Sequence, residues 1–329
     1  MKLGPARFYY FLDKFQLLLN KAVQQKNPAL WLYKNDARTP LFMLEGLSKM
    51  YSQIHNKKKF TKLYEQFKLL EDTLGAIDYY DNIAKDISTN KKVPATITTY
   101  LQAQTREKIQ SLNELLMENE WLSQENSRIE KMQEKLREAD WLNEEEEVKA
   151  MNEFYGEAIY DITEFTQTDA FHFDNIEADV HELRRKLRWL SIYPQAIRGS
   201  IQLSQNKTTP NQLEKYLTKE VTTSPFNVMP NAREATCFLL LEKNYFYSLS
   251  WMIAALGKIK DKGLHVVAIK EALEETTDLT DVDALKKTYQ ILGTKQPKLE
   301  QLLNDASTIC KTYFSEHNLE NLVIGFSAQ

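Results

Sequence analysis

Asp179-Val180-His181-Glu182-Leu183-Arg184-Arg185-Lys186-Leu187-Arg188-Trp189-Leu190 is the most distinctive stretch of this chain. Placed on an α-helix, His181, Arg184 and Arg188 stand at i, i+3 and i+7 and share one face. Val180, Leu183, Leu187 and Leu190 form the adjacent apolar stripe, and Arg185 projects elsewhere. Like charges one turn apart destabilise a helix, so a face stacking three such groups without carboxylates calls for an anion from outside. The stretch predicts an amphipathic helix and, on it, a local anion site.

The same spacing extends in both directions. Phe8, Phe11, Leu12, Phe15, Leu18 and Leu19 fall on one stripe, as do Leu41, Leu44, Leu47, Met50, Tyr51 and Ile54. A basic break at Lys57, Lys58 and Lys59 precedes Phe60, Leu63, Tyr64, Phe67, Leu70 and Leu74, which reads as a helical hairpin closed by a lysine-rich turn. From Thr98 to Ala150 there is no Pro or Gly, predicting one very long helix or two joined at Ser123 to Ser127, with Glu144 to Glu147 as a solvated face. Pro194 and Gly199 break the chain after the Arg-rich segment. Pro210, Pro225 and Pro230 bracket a loop with one short helix at Asn211 to Lys219. Helices are then expected over Ala232 to Leu256, Val266 to Glu274, Asp283 to Leu292 and Lys298 to Phe314, with Thr277 to Asp281 supplying N-cap chemistry.

Composition agrees with an all-α fold. Nine Gly and nine Pro among 329 residues are each about 3% of the chain, below the roughly 7% and 5% of average proteins. No G-x-G and no G-x-x-x-x-G-K occurs, which excludes a dinucleotide fingerprint and a P-loop. Cys237 and Cys310 form no C-x-x-C, so zinc-ribbon and thioredoxin readings lack their ligands, and a reducing, cytoplasmic location is expected. No stretch of apolar residues reaches membrane-spanning length, so no membrane partner is expected. The net charge of −4 is unlike that of a nucleic-acid-coating protein, and any anion site must be local. The charge is also uneven: residues 1–100 carry 16 basic and 9 acidic side chains, residues 101–180 carry 7 and 21, and residues 181–329 carry 19 and 16. Two basic blocks flank an acidic middle.

A second basic segment, Ala255-Leu256-Gly257-Lys258-Ile259-Lys260-Asp261-Lys262-Gly263, reads by itself as lysines complementing a helix C-terminus. Compared with the first half, it gains meaning. Asn35-Asp36-Ala37-Arg38 opens a helix there, and Leu74-Gly75-Ala76-Ile77-Asp78 follows. His181-Glu182-Leu183-Arg184 opens one in the second half, and Leu256-Gly257 follows. The chain looks like a degenerate duplication, with two helical halves, 1–165 including the long acidic segment and 166–329 carrying the His/Arg helix, related by a pseudo-twofold axis.

This pattern resembles the CHAD family, the conserved histidine α-helical domain. Val180, His181, Arg184 and Arg188 match its Val-His helix, and Leu256, Gly257, Lys260 and Asp261 match its Leu-Gly-x-x-Arg-Asp segment conservatively. Trp189 stands where a further Arg is usual, and Asn35, Phe42, Met43 and Asp78 depart from the pattern in the first half. The resemblance implies a compact unit of two related helical bundles around a basic centre. It implies non-catalytic binding of inorganic polyphosphate or a similar polyanion through His181, Arg184, Arg185, Arg188, Lys258, Lys260 and Arg38, without cofactor or metal. Arg would grip two phosphate oxygens at once while Lys acts as a point charge.

Other chemistries find less support. His55, His265 and His317 read as surface or helix-end residues, and His172 lies too far from His181 for chelation on one helix. No Glu precedes any His by three residues, which removes a di-iron bundle. Trp31, Tyr33, Trp189, Tyr193, Tyr245, Phe246, Tyr247 and Trp251 have the spacing of core residues rather than base-stacking platforms. The rival to anion binding is a helical scaffold in which Glu144 to Glu147, Asp174, Glu177 and Asp179 neutralise the arginine face. An enzyme ranks third, since no nucleophile, base and orienter can be assembled from spacing.

Overall fold

In the computed structural model, which describes residues 2–123, 127–166, 171–205, 209–232 and 235–328, the periodic segments fold as helices. The class is all-α with one small sheet. Helix α1 (Gly4–Ala22) buries Phe8, Leu12 and Phe15 at the predicted spacing, and α2 (Pro28–Lys34) follows behind an Asn27 cap. Helices α3 (Arg38–Ile54) and α4 (Lys57–Ser88) form the expected hairpin. Its three lysines are the first turn of α4 rather than a turn between helices. The Asn56 side chain accepts from Lys59 N at 2.9 Å and so caps the helix, and Lys59 Nζ reaches Lys135 O at 2.8 Å.

The acidic middle departs from expectation. It forms three helices, α5 (Ala95–Glu118), α6 (Ser127–Arg137) and α7 (Glu144–Thr166). Nor is Glu144 to Glu147 a solvated face. Glu145 and Glu146 are exposed, but Glu144 and Glu147 are buried. Glu147 meets Arg7 Nη1 at 2.5 Å and Tyr51 Oη at 2.5 Å, while Arg7 also donates to Ser200 Oγ at 2.7 Å. This buried pair ties α1, α3 and α7 to the chain entering the sheet. Glu144 accepts from the backbone N–H groups of Thr236 and Cys237. A helix reads amphipathic by its apolar stripe, and period alone does not reveal which acidic residue beside that stripe has a buried partner.

Helix α8 (Glu182–Ile197) carries the arginines and is preceded by a π-helical turn, Ile176–His181. Asn175 Oδ1 caps that turn by accepting from Glu177 N and Ala178 N, and Asp179 accepts from Asp174 N and Asn175 N. Pro194 lies inside α8 rather than breaking it. Proline has no N–H to offer the carbonyl four residues back, which is that of Leu190. The buried Tyr155 hydroxyl donates to Leu190 O at 2.9 Å instead.

The proline-rich stretch contains a 3-10 turn, Asn211–Tyr216, the short α9 (Lys219–Thr222) and a second 3-10 turn, Pro225–Asn227. Where one helix was expected from Ala232, the chain first forms a strand. Strands β1 (Ile201–Leu203), β2 (Cys237–Leu241) and β3 (Val323–Ala328) make one sheet, with β2 central, parallel to β1 and antiparallel to β3. Cys237-Phe-Leu-Leu-Leu is a continuous apolar run, and such a run does not distinguish a buried strand from a buried helix. Helix α10 (Lys243–Thr276) then runs unbroken through the two segments expected to be separate, so Gly257 to Gly263 is helix interior, not a helix end. Helices α11 (Asp281–Leu292), capped by Thr280, and α12 (Leu299–Ser315) follow as expected.

The main core draws on α1, α3, α4, α7, α8, α10 and α12 together, so residues from both expected halves share it. The eight aromatics read as core residues are all in it or packed against it. A smaller core joins the far ends of α4 and α5 to α10 and α11 through Ile83, Ile97, Leu101, Ile269 and Ala284. Among the described residues no helix is long and apolar enough to cross a membrane.

Removing one member of a buried ion pair strands the other in a low-dielectric interior. Glu147→Ala should therefore lower unfolding free energy in urea by about 3–5 kcal/mol. Glu145→Ala breaks only an exposed pair with Lys149 and should change it by less than about 1 kcal/mol.

Candidate functional site

A cleft of about 1280 Å³ opens where α3 and α4 face α8 and α10. Arg38, His181, Arg184, Arg188 and Lys260 line it, and so does Arg185, which helical phase had projected elsewhere. Lys258 does not; it is 68% exposed and pairs with Glu220 at 3.4 Å. On a continuous α10, Lys258 and Lys260 are about 200° apart, so only one of them can face the cleft.

Glycine places the key arginine. Gly257 sits one turn beyond Ile253 on α10, and a Cβ there would lie 3.1 Å from Arg184 Nε. Its absence leaves the Ile253 carbonyl open, and Arg184 Nε donates to it at 3.1 Å. Gly263 does the same for the π turn: a Cβ would lie 2.7 Å from the Ile176 side chain. Two glycines thus let the segment from Ile176 to Arg184 press against α10. In the first half, Arg38 lies beside Gly75 in a similar way, its Nη2 3.2 Å from where a Cβ would stand.

The cations divide into paired and unpaired. Arg38 is held by Glu71 at 2.5 Å and Asp78 at 3.0 Å. Arg185 meets Glu182 at 3.0 Å and Lys260 meets Asp261 at 2.9 Å. His181 Nδ1 is 2.9 Å from Glu177 Oε1, and that hydrogen bond holds the Glu177 carboxyl below its ordinary range. Arg184 and Arg188 are different. Both are half-buried, and neither guanidinium has an ion pair among the described residues. Arg188 stacks over the Phe42 ring at 4.3 Å, with Arg38 over the same ring at 5.3 Å. Burial, reinforced by the charges of Arg184 and Arg38, lowers Arg188 to about 10. Burial also lowers Arg184, partly opposed by Asp261.

Of the carboxylates expected to neutralise this face, Glu144 and Glu147 serve the sheet and Arg7, and Asp179 serves the backbone of the turn. Asp174 lies 3.2 Å from His172. Glu177 alone reaches the cleft, on His181. Spacing did not reveal the acids that α3 and α4 bring to the other wall: Glu45, Glu71, Asp72 and Asp78. A signal for Glu45 existed, because it stands on the buried stripe of Leu41 and Ser48, where a carboxylate is out of place. Among the described residues seven carboxylates and six Lys or Arg side chains line the cleft. Its potential is therefore local rather than uniformly basic.

The remaining histidines hold no common centre. His55 ends α3 and packs on Trp141, His265 sits mid-helix on α10 at 3.3 Å from Asp86, and His317 faces Glu320. Among the described residues no group of three or more His, Cys, Asp or Glu side chains could hold a metal ion.

An unpaired guanidinium taken partly out of water opposes folding at neutral pH, where it is charged in both the folded and the unfolded chain. Arg188→Met keeps the length of the stem and removes that charge, so it should raise unfolding free energy in urea by about 1 kcal/mol. A loss of stability would show that Arg188 holds the cleft together rather than straining it. No family model, no curated protein and no solved structure matches this chain.

Proposed function

We propose that the chain is a non-catalytic binding module that takes up a phosphorylated anion, inorganic polyphosphate or a similar polyanion, in the cleft between its helical hairpins. One observation carries the reading: Arg184 and Arg188 stand one turn apart on α8, half-buried, lining a cleft, with no ion-pair partner among the described residues. Burying unpaired charge is unfavourable, and a bound oxyanion would offset it with charge-assisted, bidentate hydrogen bonds. The CHAD-like motif supports the same choice of ligand. The matching placement of Arg38 beside Gly75 and Arg184 beside Gly257 supports the duplication it implies. In this reading Arg38 no longer grips ligand directly, because Glu71 and Asp78 hold it.

The mixed lining adds a restriction. A uniformly basic channel would hold many phosphates, whereas here the direct grip is confined to Arg184 and Arg188, with Lys260 and His181 nearby. The ligand is accordingly a short or terminal segment of a polyanion. Specific nucleic acid and membrane are not among the proposed partners.

A second reading, a scaffold that binds no anion, is favoured by the pairing of Arg38, Arg185, Lys258 and Lys260 with carboxylates. Binding of labelled polyphosphate across a salt series separates the two. Counterion release makes retention fall as salt rises. The Arg184→Ala/Arg188→Ala double variant should bind at least about tenfold more weakly and lower the log–log salt slope by about 2, one per lost phosphate contact. Lys258→Ala, outside the cleft, should leave both unchanged. Folded wild type that does not retain polyphosphate at low salt would leave the scaffold as the better account.

A further inference from the structure

One cleft residue stands out from every other charged group around it. Glu45 lies on α3, three residues beyond Phe42 and seven beyond Arg38, so the three share a stripe facing α8. It is only 4% exposed, and its Oε2 is buried without any hydrogen-bond partner. The other acids of the lining are satisfied: Glu71 and Asp78 by Arg38, Asp72 by Lys68, Asp86 by His265, Glu177 by His181 and Asp261 by Lys260. Among the described residues the cleft thus leaves an unpartnered carboxyl oxygen on the α3 wall and two guanidiniums without an ion pair on the α8 wall.

The groups facing Glu45 explain why it stays alone. Lys49 lies on its own helix; Tyr64, Lys68, Glu71 and Asp72 face it from α4; Tyr193 and Arg188 face it from α8. Lys68 is already engaged by Asp72, and Lys49 stacks over Trp189 at 5.2 Å. Burial, with the nearby charge of Glu71 adding to it, pushes the Glu45 carboxyl up to about 7. A carboxyl in this state can be a donor or an acceptor near neutrality.

Resting on the reading of the cleft as an anion site, we infer that Glu45 is a specificity residue of that site, contacting the oxyanion through one shared proton. An oxyanion held by Arg188 offers only acceptor oxygens when fully ionised, so Glu45 must be protonated to donate to it. An oxyanion that carries its own hydrogen, such as monohydrogen phosphate or a phosphate monoester still bearing P–OH, can donate to ionised Glu45 instead. The site should therefore take either kind below the Glu45 transition and prefer the proton-bearing kind above it. The ligand class is narrowed accordingly, from any polyanion to an oxyanion that still carries a hydrogen above the Glu45 transition, as monohydrogen phosphate does and a terminal monoester phosphate, which ionises at about pH 6, does not.

Sulfate and inorganic phosphate are the probes, because sulfate carries no proton anywhere near neutrality. Calorimetry at constant ionic strength from about pH 6 to about pH 9 should show wild-type sulfate affinity falling about tenfold per pH unit above the transition, as linkage to one proton requires. Phosphate affinity should fall much less, so that phosphate is preferred by at least about tenfold at the alkaline end. In Glu45→Gln, which donates at every pH, the sulfate profile should flatten and the preference should vanish. A slope that persists in Glu45→Gln would assign the proton to another group, His181 foremost, and overturn the inference. Titration of the Glu45 carboxyl by NMR in wild type needs no variant: sulfate should raise its midpoint, and an unmoved midpoint with sulfate bound would equally overturn it. Wild type that binds neither anion at any pH fails the anion-site reading itself, a result distinct from binding without pH dependence.

Discussion

The close approach of α8 to α10 is the constraint from which the rest of the site follows. Two residues without side chains, Gly257 and Gly263, allow it. Interior glycine weakens a helix by up to about 1 kcal/mol relative to alanine, and α10 tolerates two because its neighbour would otherwise stand off. With Arg184 anchored on the Ile253 carbonyl, Arg188 one turn later is committed to the cleft, and the π turn before it is wedged by Ile176 against Gly263. A longer side chain at either glycine would displace the whole arginine face, not one contact.

What the sequence revealed and what it concealed divide along a physical line. Stripes such as Phe8 to Leu19 or Leu41 to Ile54 are encoded locally, and the helices that carry them stand where the spacing put them. The shared face of His181, Arg184 and Arg188 was legible for the same reason, being a matter of helical phase, whereas Lys260 entered only through the resemblance and in company with Lys258, which the continuous α10 turns away from the cleft. Partnerships across the fold were not. Nothing near Glu147 in sequence announces Arg7, and nothing near Arg38 distinguishes a ligand-gripping arginine from one engaged by Glu71 and Asp78. The glycines misled because Gly257 and Gly263 carry a close approach that sequence can only read as punctuation. The sheet was hidden by shortness and by the apolar run of Cys237 to Leu241, which borders a long helix of similar composition.

Seen as electrostatics, the molecule sorts its charges by how completely they are answered. Arg7 and Glu147 are buried against each other, with Tyr51 and Ser200 completing the cluster, and they act as a structural bolt. Exposed pairs such as Lys149 with Glu145 are nearly neutral for stability. Among the described residues Arg128 and Glu320 each keep one buried atom without a partner elsewhere, whereas Arg184, Arg188 and Glu45 combine burial with incompleteness around one shared space. Groups of this kind oppose folding slightly and gain most from a ligand, which is the pattern expected where stability is traded for binding.

The carbonyl of Leu190, freed by Pro194 and answered by Tyr155, has a bearing on how this space comes into being. Because α8 does not close its own hydrogen-bond ladder, its C-terminal third is finished by a phenol from α7. Completion of the arginine helix therefore depends on the presence of α7. The arginine-lined wall of the cleft would accordingly come into existence only in an already assembled core, and a partly folded chain would present scattered cations instead.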